Sequence, residues 1–184
     1  MSESLKLVAF CGSLRKASFN RLSLQAFVER LPAGATCDTI EIGDWPLYDA
    51  DLQAKGFPDN VQAAQKAMLE ADGIVLVSPE YNYGISGVLK NAIDWLSRPS
   101  SDIGKVFGNK PFALVGASPG NFGTLLSQNA WLSVLHTLGC RTFSEKRLMV
   151  SRAHTLFDAD GNLADEATAK RLGDLLAAFA KFAA

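Results

Sequence analysis

The stretch KLVAFCGSLRKASFN, residues 6–20, joins a short apolar run to a polar loop. An unbroken apolar run that ends at a glycine, here residues 7–10 before Gly12, is typical of a strand buried on both faces of a parallel sheet. The loop that follows carries serine, asparagine and cationic side chains. Ligands of open α/β sheets bind at the carboxyl ends of strands. The stretch therefore predicts a central strand followed by an anion-binding loop.

The remainder of the chain repeats this alternation of strand and helix. Further strand-like runs lie at residues 37–42, 73–79, 111–118 and 140–144. Apolar residues at helical spacing separate these runs and follow the last one. The pattern predicts one α/β domain over residues 1–184, a doubly wound five-stranded parallel sheet of order 2-1-3-4-5 with helices on both faces. The long connection at 43–60 is either a functional loop or a packed surface loop.

Composition excludes several classes of protein. The chain has 184 residues, of which 18 are basic and 19 acidic, with no basic block, which argues against nucleic acid or an anionic membrane as partner. No apolar run is long enough for a signal-peptide core or a membrane span, so we expect a cytoplasmic protein without membrane insertion. The three cysteines are expected to be buried thiols, and neither they nor the two histidines have the spacing of metal ligands.

Three polar loops follow the first, third and fourth strands, which are neighbours in the predicted order. They are GSLRKASFN (12–20), SPEYNYG (78–84) and GASPGNFGT (116–124). Neither GxGxxG nor GxxxxGK[ST] occurs, so the usual dinucleotide and P-loop mechanisms are not indicated. Ser13, Arg15, Ser18 and Asn20, together with the amino terminus of the next helix, suit a phosphate monoester. Alternatively, Ser18 only caps that helix and Arg15 is a solvated charge.

Three of these segments together resemble the NADPH-dependent FMN reductase family, in particular its bacterial quinone and chromate reductase branch. They are GSLRKASFNR (12–21), PEYNYGISGVLKNAIDWLSR (79–98) and GASPGNFG (116–123). The resemblance implies a flavodoxin-like fold, bound FMN, NAD(P)H as electron donor and a homodimer or homotetramer.

The resemblance also implies which residues contact the cofactor. The phosphate loop would be Gly12, Ser13, Leu14, Arg15, Ser18, Phe19 and Asn20. The segment along the isoalloxazine ring would be Pro79, Glu80, Tyr81, Asn82 and Tyr83, with Ser118 as a third contact. The family commonly has proline where this chain has Ser86 and often another residue at Gly84, which predicts a more mobile loop and an altered substrate mouth.

The residues of PEYNYG suit a flavin on physical grounds as well. Pro79 favours an extended exit from the strand, and Asn82 and Gly84 tolerate left-handed turns. Tyr81 and Tyr83 could pack against a ring, although two tyrosines could equally close the core over a turn.

We therefore predict an FMN-dependent NAD(P)H:acceptor oxidoreductase that reduces quinones by ping-pong two-electron transfer, with no obligatory acid or base side chain. Chromate, azo compounds and other electrophiles are further candidate acceptors. The alternative is a flavodoxin-like electron carrier, but such carriers are usually strongly acidic; a nucleotide-sensing or scaffold protein is a third possibility. Val88 and Trp95, outside the inward stripe of their helix, are expected to cover a neighbouring subunit.

Overall fold

The computed structural model describes residues 5–184 as alternating strands and helices. The strands are β1 (Lys6–Cys11), β2 (Thr36–Ile40), β3 (Gly73–Val77), β4 (Glu80–Tyr81), β5 (Gly84–Ile85), β6 (Pro111–Ala117), β7 (Arg141–Thr142) and β8 (Leu148–Val150). The helices are α1 (Phe19–Val28), α2 (Ala50–Ala54), α3 (Asp59–Glu70), α4 (Gly87–Leu96), α5 (Ile103–Val106), α6 (Leu125–Thr137) and α7 (Glu166–Ala183). Single 3₁₀ turns lie at Ser100–Asp102 and Ala153–Thr155.

The main sheet is parallel, with the order β2-β1-β3-β6-β7. This confirms the predicted order, β6 being the fourth strand of the prediction. The fifth position is shared by two short strands: β7 pairs with the start of β6, and β8 pairs with its end. The predicted fifth strand thus ends early, and β8 was not predicted because three residues give too short a pattern. The second strand also ends at Ile40, two residues before the predicted end.

Two apolar cores lie on opposite faces of the sheet, as expected for a doubly wound fold. Successive residues of a strand point to opposite faces, so Val8 and Phe10 enter one core while Leu7 and Ala9 enter the other. The first core is closed by α3, α4, α5 and α6, and the second by α1 and α7. The three strands that precede the polar loops, β1, β3 and β6, form the buried centre of the sheet and hold those loops at one edge.

Residues 43–58 pack against α4, which corresponds to the packed-loop alternative, and they include the unpredicted helix α2. Trp45 is buried, and the carbonyl oxygen of Pro46 accepts hydrogen bonds from Asn91 Nδ2 at 2.9 Å and Trp95 Nε1 at 2.8 Å. The Tyr48 backbone N–H donates to Asn91 Oδ1 at 2.7 Å. This loop covers a second side of α4.

The expectation that Trp95 covers a neighbouring subunit is wrong. Its side chain is 0% exposed, and its ring meets Tyr48 and Phe57 edge-on at centroid distances of 5.2 and 5.9 Å. Val88 is half-buried and packs against the same core. Helical spacing identified only the stripe facing the sheet, whereas the second apolar stripe of α4 is covered by residues distant in sequence.

Two side-chain expectations are refined. Cys11 is buried, but Cys37 and Cys140 are half-buried, and burial raises the pKa of these two thiols to about 11 and about 12. The spacing of Leu132, Leu135 and Leu138 predicts the helix α6, in which Leu132 is exposed and Trp131 lies inward instead.

Candidate functional site

The first loop leaves β1 in close contact with the start of α4. Gly12 continues the sheet by donating its N–H to the Val77 carbonyl at 2.9 Å. A Cβ at this position would lie 2.6 Å from Ser86 Oγ and 2.8 Å from Pro79 Cδ, so only glycine fits without displacement. Ser86 is fully buried and caps α4, its hydroxyl accepting from the Leu89 N–H at 3.4 Å.

Unpaired donors line the loop between β1 and α1. The backbone N–H groups of residues 13–17 donate no hydrogen bond to any other described residue. Ser18 is the N-cap of α1: its Oγ accepts from the Asn20 N–H at 3.2 Å, which leaves its own proton available. The capping alternative is thus correct for Ser18, but capping and phosphate binding are compatible, because a hydroxyl accepts and donates at once.

The cations of this loop differ in their partners. Arg21 forms two hydrogen bonds with the Glu41 carboxylate at 2.9 and 2.7 Å, and this pairing lowers the pKa of Glu41. The exposed Arg15 forms no ion pair with any described residue, and its guanidinium lies 5.8 Å from the centre of the Phe19 ring. Arg15 is therefore available to an anion at the amino terminus of α1, whereas Arg21 is engaged. This set of free donors and one free guanidinium fits a phosphate monoester.

Asn20 has a partner that the sequence did not indicate. Its Nδ2 donates to the Ala117 carbonyl and its Oδ1 accepts from the Ala117 N–H, both at 2.9 Å. The side chain is buried and joins α1 to the carboxyl end of β6. Asn20 thus fixes the first loop against the third, and only one Nδ2 proton is left for any other acceptor.

The second loop is a tight hairpin formed by β4 and β5. Glu80 pairs with Ile85 and Tyr81 with Gly84, so the two central residues are Asn82 and Tyr83, with φ of 51° and 61°. Positive φ at both central positions defines a type I′ turn. The expectation of a left-handed Asn82 is confirmed, whereas the second left-handed residue is Tyr83 and not Gly84.

The left-handed conformation of Tyr83 stores strain, because a bulky side chain disfavours positive φ. Tyr83→Asn is expected to raise the free energy of unfolding by about 1 kcal/mol, since asparagine tolerates this conformation. Urea denaturation should show a higher midpoint with an unchanged slope. Tyr81→Asn is the matched control, because Tyr81 has a strand conformation; equal effects of both substitutions would contradict the strain.

Glu80 holds the hairpin against α6. Its Oε2 accepts hydrogen bonds from the N–H groups of Leu126 and Ser127 at 2.8 and 3.0 Å. These two N–H groups in the first turn of α6 would otherwise have no acceptor within the helix. Ser127 Oγ lies 2.9 Å from Ser78 Oγ, and Trp131 Nε1 donates to the latter at 2.9 Å. The end of β3 and the hairpin are thus anchored to α6 through buried hydrogen bonds.

The third loop begins at Gly116, where a Cβ would overlap the Ser78 carbonyl oxygen and Thr124 Oγ1. Ser118 is half-buried, and its hydroxyl accepts from the Gly120 N–H at 3.1 Å. Tyr81 OH lies 3.3 Å from Ser13 Oγ, within hydrogen-bonding reach of the first loop. The three loops predicted to converge therefore contact one another directly.

Large apolar side chains stand exposed around these loops. Leu14, Tyr81 and Tyr83 belong to the predicted set, whereas Phe122 and Leu126 were missed. Phe122 is 78% exposed within a glycine-rich loop, a combination that could have indicated a surface for planar ligands. Among residues 5–184, no three His, Cys, Asp or Glu side chains are grouped as metal ligands, and no helix is both long and apolar enough to cross a membrane.

A parallel sheet of this order, with three loops meeting at its carboxyl edge, defines a flavodoxin-like protein. The sequence profile of the NADPH-dependent FMN reductases matches residues 5–155. The chain belongs to this family. It is 39% identical to an NAD(P)H-dependent FMN reductase of Pseudomonas aeruginosa, over 90% of this chain and 88% of the relative. It is 37% identical to a quinone reductase of Escherichia coli K12, over 99% of this chain and 97% of the relative.

A solved structure agrees with this assignment. The flavoenzyme NAD(P)H:(acceptor) oxidoreductase FerB from Paracoccus denitrificans superposes with a TM-score of 0.88 at 31% identity. The superposition covers 97% of each chain. The family, the flavodoxin-like fold and the enzymatic class are those expected from the sequence.

Proposed function

We propose that this protein is an NAD(P)H:quinone oxidoreductase that uses FMN bound across the three converging loops. The proposal is carried by the N–H donors of residues 13–17 and the nearby guanidinium of Arg15. None of these groups pairs with another residue in the described part of the chain, and together they suit a terminal phosphate. Support for quinones as acceptors comes from relatives, among them a 2-hydroxy-1,4-benzoquinone reductase of a Burkholderia species, 36% identical over 92% of this chain.

The chain's own residues would bind FMN and orient it. Gly12, Ser13, Leu14, Arg15, Ser18 and Phe19 would surround the phosphate, while Asn20 keeps this loop against β6. Pro79, Glu80, Tyr81, Asn82 and Tyr83 would run along the ring, with Ser118 on the third loop. Bound FMN supplies the redox chemistry, since it accepts a hydride and gives up two electrons.

The polypeptide would control access to that chemistry. Glu80 attaches the hairpin to α6, and Tyr81 attaches it to the first loop. The exposed rings of Tyr83 and Phe122 offer apolar surface to a second planar molecule, such as a nicotinamide or a quinone. No side chain is assigned as a proton donor or acceptor.

The identity of the flavin and the kinetic order test this proposal. Chromatography of the flavin released by heat should yield FMN and not FAD, and NAD(P)H with a quinone should give parallel double-reciprocal lines. FAD, or failure to bind any flavin on reconstitution, would refute it. Reduction by a partner protein but by neither nicotinamide would instead identify an electron carrier, which the net charge of −1 does not favour.

We further propose a cytoplasmic homodimer or homotetramer built from one FMN-binding domain over residues 1–184. Because Trp95 is enclosed, the support for an interface now comes from exposed apolar side chains such as Phe122 and Leu126, which are 78% and 44% exposed. Light scattering at micromolar concentration should give a mass of two or four chains, and a monomer would refute this. Chromate and azo compounds stay predicted acceptors, to be assayed beside quinones.

A further inference from the structure

A basic cavity adjoins the third loop. It has a volume of about 330 Å³ and lies between residues 150–156, Asn121 and the first turns of α7. Arg152 and Arg171 line it, together with the hydroxyl-bearing residues Ser151, Thr155 and Thr168. Among residues 5–184, no aspartate or glutamate lines it. The cavity therefore concentrates two positive charges without a lining carboxylate.

The two guanidinium groups are available to a ligand. Arg171 forms no hydrogen bond or ion pair with any described residue. Hydrogen bonds from Thr168, and to a smaller extent the charge of Arg171, lower the pKa of Asp165, whose carboxylate accepts from the Thr168 N–H at 2.7 Å. Arg152 uses its Nε to donate to Asn121 Oδ1 at 3.1 Å, and its two terminal nitrogens donate to no residue in the described chain. Guanidinium forks with free terminal N–H groups match the oxygens of a phosphate.

The backbone holds Arg152 in this position at a conformational cost. Its φ is 49°, a left-handed value that is unfavourable for arginine and that often marks functional sites. The Arg152 N–H donates to the Gly120 carbonyl at 2.9 Å, and the Ala153 N–H donates to the Ser118 carbonyl at 3.0 Å. These bonds attach the cavity wall to the third loop of the cofactor site, and Asn121 of that loop itself lines the cavity.

We propose that the cavity lined by Arg152 and Arg171 binds a phosphate monoester, namely the ribose 2′-phosphate that distinguishes NADPH from NADH. This inference rests on the proposed function, because it takes NAD(P)H as the electron donor. It assigns the nucleotide preference, which the sequence left open, to residues outside the three predicted loops. The shared chemistry is a phosphate, and the same cavity could take it from inorganic phosphate instead.

Kinetic constants for both donors test the assignment. In Arg171→Gln, the KM for NADPH should rise about tenfold more than the KM for NADH, since only NADPH loses a charge-assisted interaction. Arg152→Asn should act in the same direction, because asparagine tolerates the left-handed backbone. Lys170→Gln is the matched control: it removes one charge from the same helix, but Lys170 pairs with Asp174 and does not line the cavity. Equal effects on both donors would overturn the assignment.

Direct binding provides a readout independent of turnover. Adenosine 2′,5′-bisphosphate titrated calorimetrically into the FMN-loaded protein should bind about tenfold more weakly to Arg171→Gln, whereas adenosine 5′-monophosphate should bind both proteins equally. Inorganic phosphate that binds through Arg171 without competing with NADPH would assign the cavity to another phosphate and overturn the donor role. If neither nicotinamide reduces the protein, the proposed function fails. The bisphosphate titration still tests the cavity: weaker binding to Arg171→Gln supports a phosphate site there, and unchanged binding contradicts it.

Discussion

Trp95→Ala is expected to lower the free energy of unfolding by about 3–5 kcal/mol, the range for truncating a fully buried tryptophan. The Trp95 side chain is 0% exposed and packs edge-on against Tyr48 and Phe57. Its removal leaves a cavity and also takes away the donor to the Pro46 carbonyl, one of the bonds that hold residues 43–58 on α4. Urea denaturation of the parent and the variant measures the difference.

Leu47→Ala is the matched control for this prediction. Leu47 follows Pro46 in the same loop but is 81% exposed, so the free energy of unfolding should change by no more than about 0.5 kcal/mol. Measuring subunit mass for both variants separates folding from assembly. If Trp95→Ala dissociated an oligomer while leaving the stability of each subunit intact, Trp95 would belong to an interface and the packing described for α4 would be wrong.

Arg15→Gln is expected to weaken FMN binding about ten- to a hundredfold. A charge-assisted interaction with a phosphate contributes about 1.5–3 kcal/mol, and the exposed Arg15 has no competing ion pair in the described chain. The phosphate end of FMN is remote from the reacting ring, so turnover at saturating FMN should stay within a few fold of the parent. Fluorescence quenching of FMN and the quinone reductase rate at excess FMN provide the two measurements.

Two further variants sharpen the Arg15 experiment. Lys16→Gln removes a neighbouring exposed charge and should weaken FMN binding less than Arg15→Gln. Both variants lose positive potential, but only Arg15→Gln also loses the direct interaction with the phosphate. Asn82→Ala, beside the proposed ring site, should lower turnover even at saturating FMN, while Asn82→Gly keeps the left-handed turn and separates a backbone effect from loss of the side chain. If Arg15→Gln bound FMN as tightly as the parent, the assignment of the phosphate site to the first loop would be wrong.

Local patterns were sufficient to predict the order of the sheet and the strands at its centre. The apolar runs of β1, β3 and β6 are buried on both faces. A strand of that kind can be predicted from the sequence because its residues must be apolar on both sides. The start of α1 was equally legible, since Ser18 caps the helix with its own side chain. The polar loops at the strand ends then followed from topology, because the carboxyl ends of parallel strands lie at one edge.

Tertiary structure alone decided the partners of individual side chains. Asn20 was expected to face an anion but bonds Ala117, 97 residues away, and Glu80 caps α6 at Leu126, 46 residues away. Trp95 was expected at a surface but is covered by a loop near Pro46. Helical or strand periodicity reports only which face of an element is apolar, whereas which distant segment covers a second face, or accepts a hydrogen bond, depends on how the whole chain packs.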